Sequence, residues 1–171
     1  MKEMIKMYAK YNKQTNLNLN KMLSKFEMSE LFKERKTYYK SIGGLYLHLI
    51  YTSRYLQNMI RNNWNNKYFV NKYTEDSYKI DPQTFEEASE LLEQYDKNLI
   101  EFSEKITDKD LFKPTANITL YNKKRVSVTI WKIVMQYIIH QTHHRGQISQ
   151  ILDELNIEHD IGNIWPLINE I

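Results

Sequence analysis

Residues 129–155 read TIWKIVMQYIIHQTHHRGQISQILDEL. One set of its side chains recurs at three- and four-residue intervals: Ile130, Val134, Tyr137, Gln141, Ile148, Ile151, Leu152 and Leu155. Such spacing places the set on one face of an α-helix. The stretch therefore predicts a long amphipathic helix, the last of four in the chain.

Three further segments carry the same helical spacing. The first covers about residues 3–26, and the second covers about 41–62, where Ser41 can cap the first turn. The third begins after Asp81 as N-cap, with Pro82 in its first position, and ends near 106–108. With only 4 glycines and 3 prolines in 171 residues, long helices are favoured over many turns. We therefore expect an all-α fold, an up-and-down four-helix bundle, in a single domain over residues 1–171.

The connections between these helices differ in character. Residues 62–78 are polar and rich in Asn and Lys, which predicts a long loop between the second and third helices. Residues 111–128 contain two β-favouring runs and predict either a small hairpin or two extended strands before the fourth helix. Gly43 and Gly44 would each cost about 1 kcal/mol relative to alanine inside the second helix. Their presence indicates either a close neighbouring backbone or a helix that starts after them.

Composition excludes several classes of function. The chain has no cysteine, so it has no disulfide, no zinc–thiolate site and no thiol nucleophile of its own. Its 24 Lys and Arg against 21 Asp and Glu give a charge of +3 without a concentrated basic stripe, which disfavours nucleic-acid binding. No apolar run reaches the roughly 20 residues that span a bilayer, and the opening residues lack a signal-peptide core. We expect a cytoplasmic protein that binds neither nucleic acid nor membrane.

Three of the five histidines lie close together in the predicted fourth helix, as His140-Gln-Thr-His143-His144. Residues four apart on a helix are offset by about 40°, so the imidazoles of His140 and His144 can reach one ion. His144 falls inside the apolar stripe and His140 on its edge, whereas His143 points towards solvent or another chain. The pair of His140 and His144 is therefore preferred, although His140 and His143 are also at helical spacing.

His48 can complete the set. It lies on the edge of the apolar stripe of the second helix, between Leu45 and Leu49. Imidazole suits zinc, nickel, copper and iron, and three protein ligands leave positions open for water or substrate, as in catalytic sites. The competing interpretation is that His48 is an ordinary core histidine and that the spacing of the other two arose by chance. His159 has no recognisable partner, and we expect it to be exposed.

The segments that carry these histidines resemble the DinB-like family. Residues 41–49, Ser-Ile-Gly-Gly-Leu-Tyr-Leu-His-Leu, are similar to the family segment with the first metal histidine, and residues 140–148, His-Gln-Thr-His-His-Arg-Gly-Gln-Ile, are similar to its most distinctive motif. The regions around Tyr11-Asn12 and 160–166 also match. The resemblance implies a helical bundle with a long loop between helices two and three, metal ligands at His48, His140 and His144, and a homodimer.

The resemblance also implies an activity. Some family members transfer small thiols such as bacillithiol or mycothiol, and the family is grouped with metal-dependent hydrolases of the same fold. It therefore implies a divalent metal ion, nickel or zinc, and a small-molecule substrate such as a low-molecular-weight thiol. The chain departs from the family where Ser53, in place of an acidic residue, precedes Arg54. Arg145 and Gln147 match the motif, and they are either groups of the site or a surface ion pair and a polar helix face.

Two other functions stay open. The chain is either a metal-dependent transferase or hydrolase, or a non-catalytic metal-binding or stress-response bundle that acts through dimerisation. A third possibility is that it binds an apolar small ligand in the bundle centre. No acid or base lies at a diagnostic spacing from the histidines, and Tyr137, one turn before His140, is either a hydrogen-bonding group of the pocket or a core residue.

Overall fold

The fold is all-α, as predicted. A computed structural model describes residues 1–64, 82, 84–115, 118–119 and 125–162. Its four long helices are α1 (Lys2–Leu23), α3 (Ile42–Arg61), α4 (Phe85–Lys105) and α6 (Ile130–Glu154). The shorter elements are the helices α2 (Met28–Leu31) and α5 (Asp108–Leu111) and the strands β1 (Ile118–Thr119) and β2 (Arg125–Val126).

Side-chain caps determine where two of the long helices begin. Ser41 caps α3 as predicted, because its Oγ accepts a hydrogen bond from the backbone N–H of Gly44 over 2.9 Å. The predicted start of α4 at Asp81 and Pro82 is wrong. The helix begins at Phe85, after Thr84, whose Oγ1 accepts the N–H of Glu87 over 3.1 Å. Thr84 and Glu87 have the spacing of a capping box. The helix therefore begins after this cap and not at Pro82.

Two clusters of buried apolar side chains fill the core, and together they give the directions of the four long helices. One cluster joins the end of α1, the start of α3, the start of α4 and the end of α6: Leu23, Leu45, Ala88 and Leu152. The other joins the opposite ends of the same helices: Ile5, Met59, Leu99 and Ile130. Helices α1 and α6 therefore run one way, and α3 and α4 run the other way.

This order of directions differs from the predicted up-and-down order. Helices α3 and α4 are parallel, since the ring of Tyr46 packs on that of Phe85 at their starts and Trp64 packs on Phe102 at their ends. The long connection between them makes the arrangement possible. A 20-residue helix spans about 30 Å, a distance that about ten extended residues can cover. Each long helix packs against two others, α1 and α3 both contacting α4 and α6.

The loop before α3 packs tightly onto the first turn of that helix. A Cβ on Gly44 would overlap the carbonyl oxygen of Tyr39, and a Cβ on Gly43 would lie 2.7 Å from the ring of Phe32. The predicted close approach of a backbone is therefore confirmed at Gly44, whereas at Gly43 the neighbour is a side chain. Only glycine allows contacts this close.

The remaining predictions concern the connections. Strands β1 and β2 pair antiparallel, Ile118 with Val126 and Thr119 with Arg125, so the two predicted β-favouring runs contain paired strands. The residues that connect them, 120–124, lie outside the described ranges. Most of the predicted loop at 62–78 and the tail at 163–171 lie outside the described residues. None of the helices in the described ranges combines the length and the apolarity needed to cross a membrane.

Candidate metal centre

Helices α3 and α6 bring three histidines together. Nε2 of His140 lies 2.9 Å from Nε2 of His48 and 3.1 Å from Nε2 of His144. His48 lies between Leu45 and Leu49, whose fully buried side chains turn this face of α3 into the core towards α6. Within the described residues, these histidines form the one group of His, Cys, Asp or Glu side chains close enough to share a metal ion.

The burial of the histidines agrees with the predicted faces of the helices. His48 and His144 are only 3% and 5% exposed, and His140 is partly buried. His143 is exposed, as predicted. The alternative pair of His140 and His143 would therefore turn one imidazole to solvent.

The protein environment holds all three imidazoles neutral. Burial, reinforced by the neighbouring histidines, lowers the pKa of His48 to about 3 and the pKa of His140 to about 4. Burial also lowers the pKa of His144, although a hydrogen bond with Gln147 opposes the shift. Neutral imidazole is the form that binds metal ions, so at pH 7 the site can accept a cation without first losing protons.

Gln147 selects the tautomer of His144. Its Oε1 lies 2.7 Å from Nδ1 of that ring, one turn along α6. An amide oxygen can only accept, so Nδ1 carries the proton and Nε2 presents its lone pair to the other two rings. Metal-binding histidines are typically oriented in this way by a partner on the second nitrogen. The side chain is thus part of the site and not merely a polar helix face.

The hydrogen bonding of the three rings favours a cation between them. Nε2 of His144 can only accept, so a proton on Nε2 of His140 or of His48 can form a hydrogen bond across one of the two short N···N contacts. A single proton on His140 cannot serve both contacts, because a protonated ring nitrogen has no lone pair left to accept with. A cation between the rings would engage all three lone pairs at once. The donor set therefore fits a metal ion.

The separations of the nitrogens also fit an ion. At a metal–nitrogen distance of 2.0–2.1 Å, two nitrogens at a right angle lie about 2.8–3.0 Å apart, and two at a tetrahedral angle about 3.3–3.4 Å. The two close contacts, at 2.9 and 3.1 Å, are nearer to the right-angle values. His48, His140 and His144 would hold such an ion with three protein ligands, a number that leaves further coordination positions for a small molecule.

Tyr39 also belongs to the site, although no pattern in the sequence predicts it. Its Oη lies 3.0 Å from Nε2 of His48, and its ring stacks on the His48 ring with centroids 4.2 Å apart. The same ring meets His144 edge-on at 5.3 Å. Tyr39 lies in the loop before α3, where no helical period connects it to His48. The pair of glycines at 43 and 44 was the one signal that this loop is held against the helix.

Arg145 is a buried link between helices, so of its two interpretations the surface ion pair is wrong. The side chain is 2% exposed, and Nη1 donates to Oδ1 of Asn12 over 2.7 Å and of Asn16 over 3.0 Å. The amide nitrogens of the same asparagines donate to the carboxylate of Asp96 over 2.8 and 2.9 Å. Burial raises the pKa of Asp96 to about 6, although the asparagines and Arg145 oppose the shift. Two side-chain amides on α1 thus join a buried guanidinium on α6 to a buried carboxyl group on α4.

Ser53, the position at which the chain departs from the pattern that the resemblance implies, belongs to the same buried polar network. Ser53 Oγ lies 2.8 Å from the hydroxyl of Tyr137, which also lies 3.4 Å from Nδ2 of Asn12. Gln141 Nε2 donates to Oγ1 of Thr52 over 2.8 Å and to Ser53 over 3.2 Å. Tyr137 is therefore a core residue that ties α6 to α3 and α1.

His159 is partnered, contrary to expectation. Its Nε2 lies 3.1 Å from Ser149 Oγ and 3.2 Å from a carboxylate oxygen of Asp153, and its side chain is 12% exposed. Both contacts use the same ring nitrogen, so they do not form a relay from acid to hydroxyl. The arrangement fastens the segment after α6 onto that helix.

Comparison with known proteins adds one finding. The model of the DinB family matches residues 1–159 of the 171-residue chain, a range that contains the four long helices and all three clustered histidines. No curated protein matches the chain.

Proposed function

The chain belongs to the DinB family, and we propose that it is a four-helix bundle that binds one divalent metal ion through His48, His140 and His144. The observation that carries the proposal is the convergence of three Nε2 atoms from two helices, with N···N contacts of 2.9 and 3.1 Å. The low pKa values of His48 and His140 support it, because they keep the lone pairs available at neutral pH.

The ion that we propose is nickel or zinc. Both accept imidazole nitrogen. Zinc held by three protein ligands is usually tetrahedral, whereas nickel commonly takes tetragonal geometry with right angles.

We propose that the bound ion serves the transfer of a low-molecular-weight thiol, with hydrolysis of a small molecule as the second candidate. A divalent ion would lower the pKa of a thiol or a water molecule that binds to it and so supply a nucleophile near neutral pH. Among the described residues no carboxylate joins the three histidines. A thiol, whose pKa is near 8.5, loses its proton far more readily than water and needs no protein base. This favours thiol transfer over hydrolysis.

The protein's own residues would bind and orient the reactants. Gln147 orients the His144 ring, and the buried surroundings of His48 and His144 limit the access of water. Because the chain has no cysteine, the thiol must come from the substrate.

An activity assay tests this proposal. Purified protein loaded with Ni²⁺ would be mixed with a panel of small thiols and an electrophilic dye, and loss of free thiol would be followed. We expect a rate that a chelator abolishes and that added Ni²⁺ restores. A panel of activated esters tests hydrolysis in the same way. A rate that does not depend on the ion would contradict both activities, and a metal-loaded protein without activity would indicate a non-catalytic metal-binding bundle.

The family resemblance also implies a homodimer, which we propose as the state in solution. Ile139 of α6, an apolar side chain, is 59% exposed. Light scattering should give twice the 20.7 kDa mass of one chain. A mass of one chain at micromolar concentration would contradict this proposal. The cytoplasmic location and the absence of a nucleic-acid partner stay predictions from the sequence.

A further inference from the structure

We propose that Tyr39 is a substrate-binding residue of the histidine site. Its phenol donates a hydrogen bond to the atom through which the small molecule binds the metal ion. The inference rests on the proposed metal site and adds a role that the family match does not assign. Its basis is the position of Tyr39 Oη, 3.0 Å from Nε2 of His48. That separation is close to the 2.9 Å between the Nε2 atoms of His48 and His140, so the phenol lies as near to the site as a neighbouring imidazole does.

The ring of Tyr39 is held in place by the histidines themselves. It stacks on His48 at an interplanar angle of 26° and meets His144 edge-on at 83°. Such aromatic pairs stabilise a structure by more than the burial of their surface area alone. The phenol therefore stays beside the site even when Nε2 of His48 turns its lone pair to another partner.

The backbone of the loop is built to present this side chain. The N–H of Arg35 donates to the carbonyl oxygen of Lys40 over 2.6 Å, and the N–H of Ser41 donates to the carbonyl oxygen of Tyr39 over 2.8 Å. Lys40 has a φ of 64°, a left-handed conformation that non-glycine residues seldom adopt and that costs energy. Gly44 lacks the Cβ that would collide with the Tyr39 carbonyl. Lys40 in a left-handed conformation directly after Tyr39, and an obligatory glycine at position 44 against its carbonyl oxygen, indicate that the position of this tyrosine matters.

The chemistry of a phenol suits an anionic ligand. A hydroxyl proton can rotate to a new acceptor, and once an ion engages Nε2 of His48 that nitrogen no longer accepts. A thiolate or other anion at the open side of the ion would be a stronger acceptor than a neutral ligand, because hydrogen bonds to charged groups are the stronger ones. Tyr39 would therefore favour a thiolate over an uncharged molecule.

The test uses Co²⁺ as the ion and 2-mercaptoethanol as the probe. The visible spectrum of bound Co²⁺ reports the affinity for the ion, and its change on titration with the thiol reports the affinity for the probe. Tyr39→Phe removes a single oxygen and keeps the ring. We expect this variant to bind the thiol roughly 10- to 100-fold more weakly than wild type while its affinity for Co²⁺ stays unchanged. Tyr38→Phe is the matched control, since Tyr38 is 82% exposed and packs edge-on against Tyr39; it should match wild type in both measurements.

The outcomes separate this inference from the metal site. Equal thiol affinity in Tyr39→Phe and wild type would overturn the role of Tyr39 and leave the metal site standing. A large loss of Co²⁺ affinity in Tyr39→Phe would also overturn it, because the phenol would then serve as a ligand of the ion. A wild-type protein that takes up no Co²⁺ would overturn the metal site and the role of Tyr39 together.

Discussion

Gln147 and His144 lie one turn apart on α6, and the side-chain oxygen of Gln147 accepts a hydrogen bond from Nδ1 of the imidazole over 2.7 Å. Gln147→Leu removes this acceptor and frees the ring to rotate or change tautomer. We expect it to lower the affinity for Ni²⁺ about 10- to 100-fold, the usual effect of losing such a partner. Gln150→Leu, on the exposed face of the same helix, is the control and should bind Ni²⁺ like wild type. Equal affinities in the two variants would contradict the orienting role of Gln147.

Asp96 and Arg145 should be energetically coupled although two asparagine side chains separate them. Asp96→Asn or Arg145→Met leaves a buried charge without its compensation, so each should lower the free energy of unfolding by about 3 kcal/mol. The double variant removes both charges and should cost at least about 1 kcal/mol less than the sum. Urea unfolding of the four proteins measures the difference.

The exposed ion pair of Lys105 and Glu101 provides the matched control for this cycle. Its two side chains are 79% and 63% exposed, and the same cycle there should give a coupling below about 0.5 kcal/mol. Additive effects of Asp96→Asn and Arg145→Met would contradict the bridge through Asn12 and Asn16.

Acid should destabilise the ion-free protein through its histidines. In the folded state the pKa values of His48 and His140 are about 3 and about 4, against 6.5 for an unperturbed histidine. Between these values the unfolded chain binds more protons, so the free energy of unfolding falls as the pH falls from 6.5 towards 4. The pKa of Asp96 is raised from 3.8 to about 6, which makes the free energy of unfolding rise as the pH falls. This opposing effect involves one proton, whereas His48 and His140 together involve two.

His48→Gln isolates this contribution. It should reduce the slope of unfolding free energy against pH by up to about 1.4 kcal/mol per pH unit, the limit for one proton. Urea unfolding in the presence of a chelator, at several values between pH 4.5 and about 6.5, measures the slope. An unchanged slope would show that His48 protonates alike in the folded and unfolded chain.

Two helical glycines should respond to alanine in opposite directions. Gly44→Ala places a Cβ against the carbonyl oxygen of Tyr39 and should destabilise the fold by about 1–3 kcal/mol. At Gly146 no described atom lies within 4 Å of an added Cβ, so Gly146→Ala should stabilise the helix by about 1 kcal/mol. Thermal or urea unfolding checks both. Destabilisation by Gly146→Ala would show that another chain or segment covers this face.

Much of the fold and of the histidine cluster was predictable, because helical periodicity indicates both where the helices lie and which of their faces is buried. The apolar stripe in residues 129–155 predicts that His144 faces the core and His143 faces solvent. The stripe around Leu45 and Leu49 predicts that His48 also faces the core, and the burial of all three residues agrees. The start of α4 was misjudged because two cap signals, at Asp81 and at Thr84, compete within a few residues. The spacing of residues alone does not decide which of the two caps begins the helix, because that depends on how the helix packs.

Other features depend on contacts between distant segments and have no local signal. The parallel direction of α3 and α4 follows from which ends share a core cluster. The burial of Asp96 depends on Asn12, Asn16 and Arg145 meeting it from two other helices. Tyr39 reaches His48 from a loop whose shape is set by backbone hydrogen bonds. Each of these requires the assembled bundle, which a periodicity argument does not supply.

The metal content of the purified protein tests the central claim most directly. Protein made without a histidine tag would be analysed by mass spectrometry as wild type, His144→Ala and His143→Ala. We predict about one equivalent of nickel or zinc in wild type and in His143→Ala, because His143 is exposed, and a large loss in His144→Ala. Equal metal content in wild type and His144→Ala, with both proteins folded, would contradict the assignment of the three histidines as a metal site.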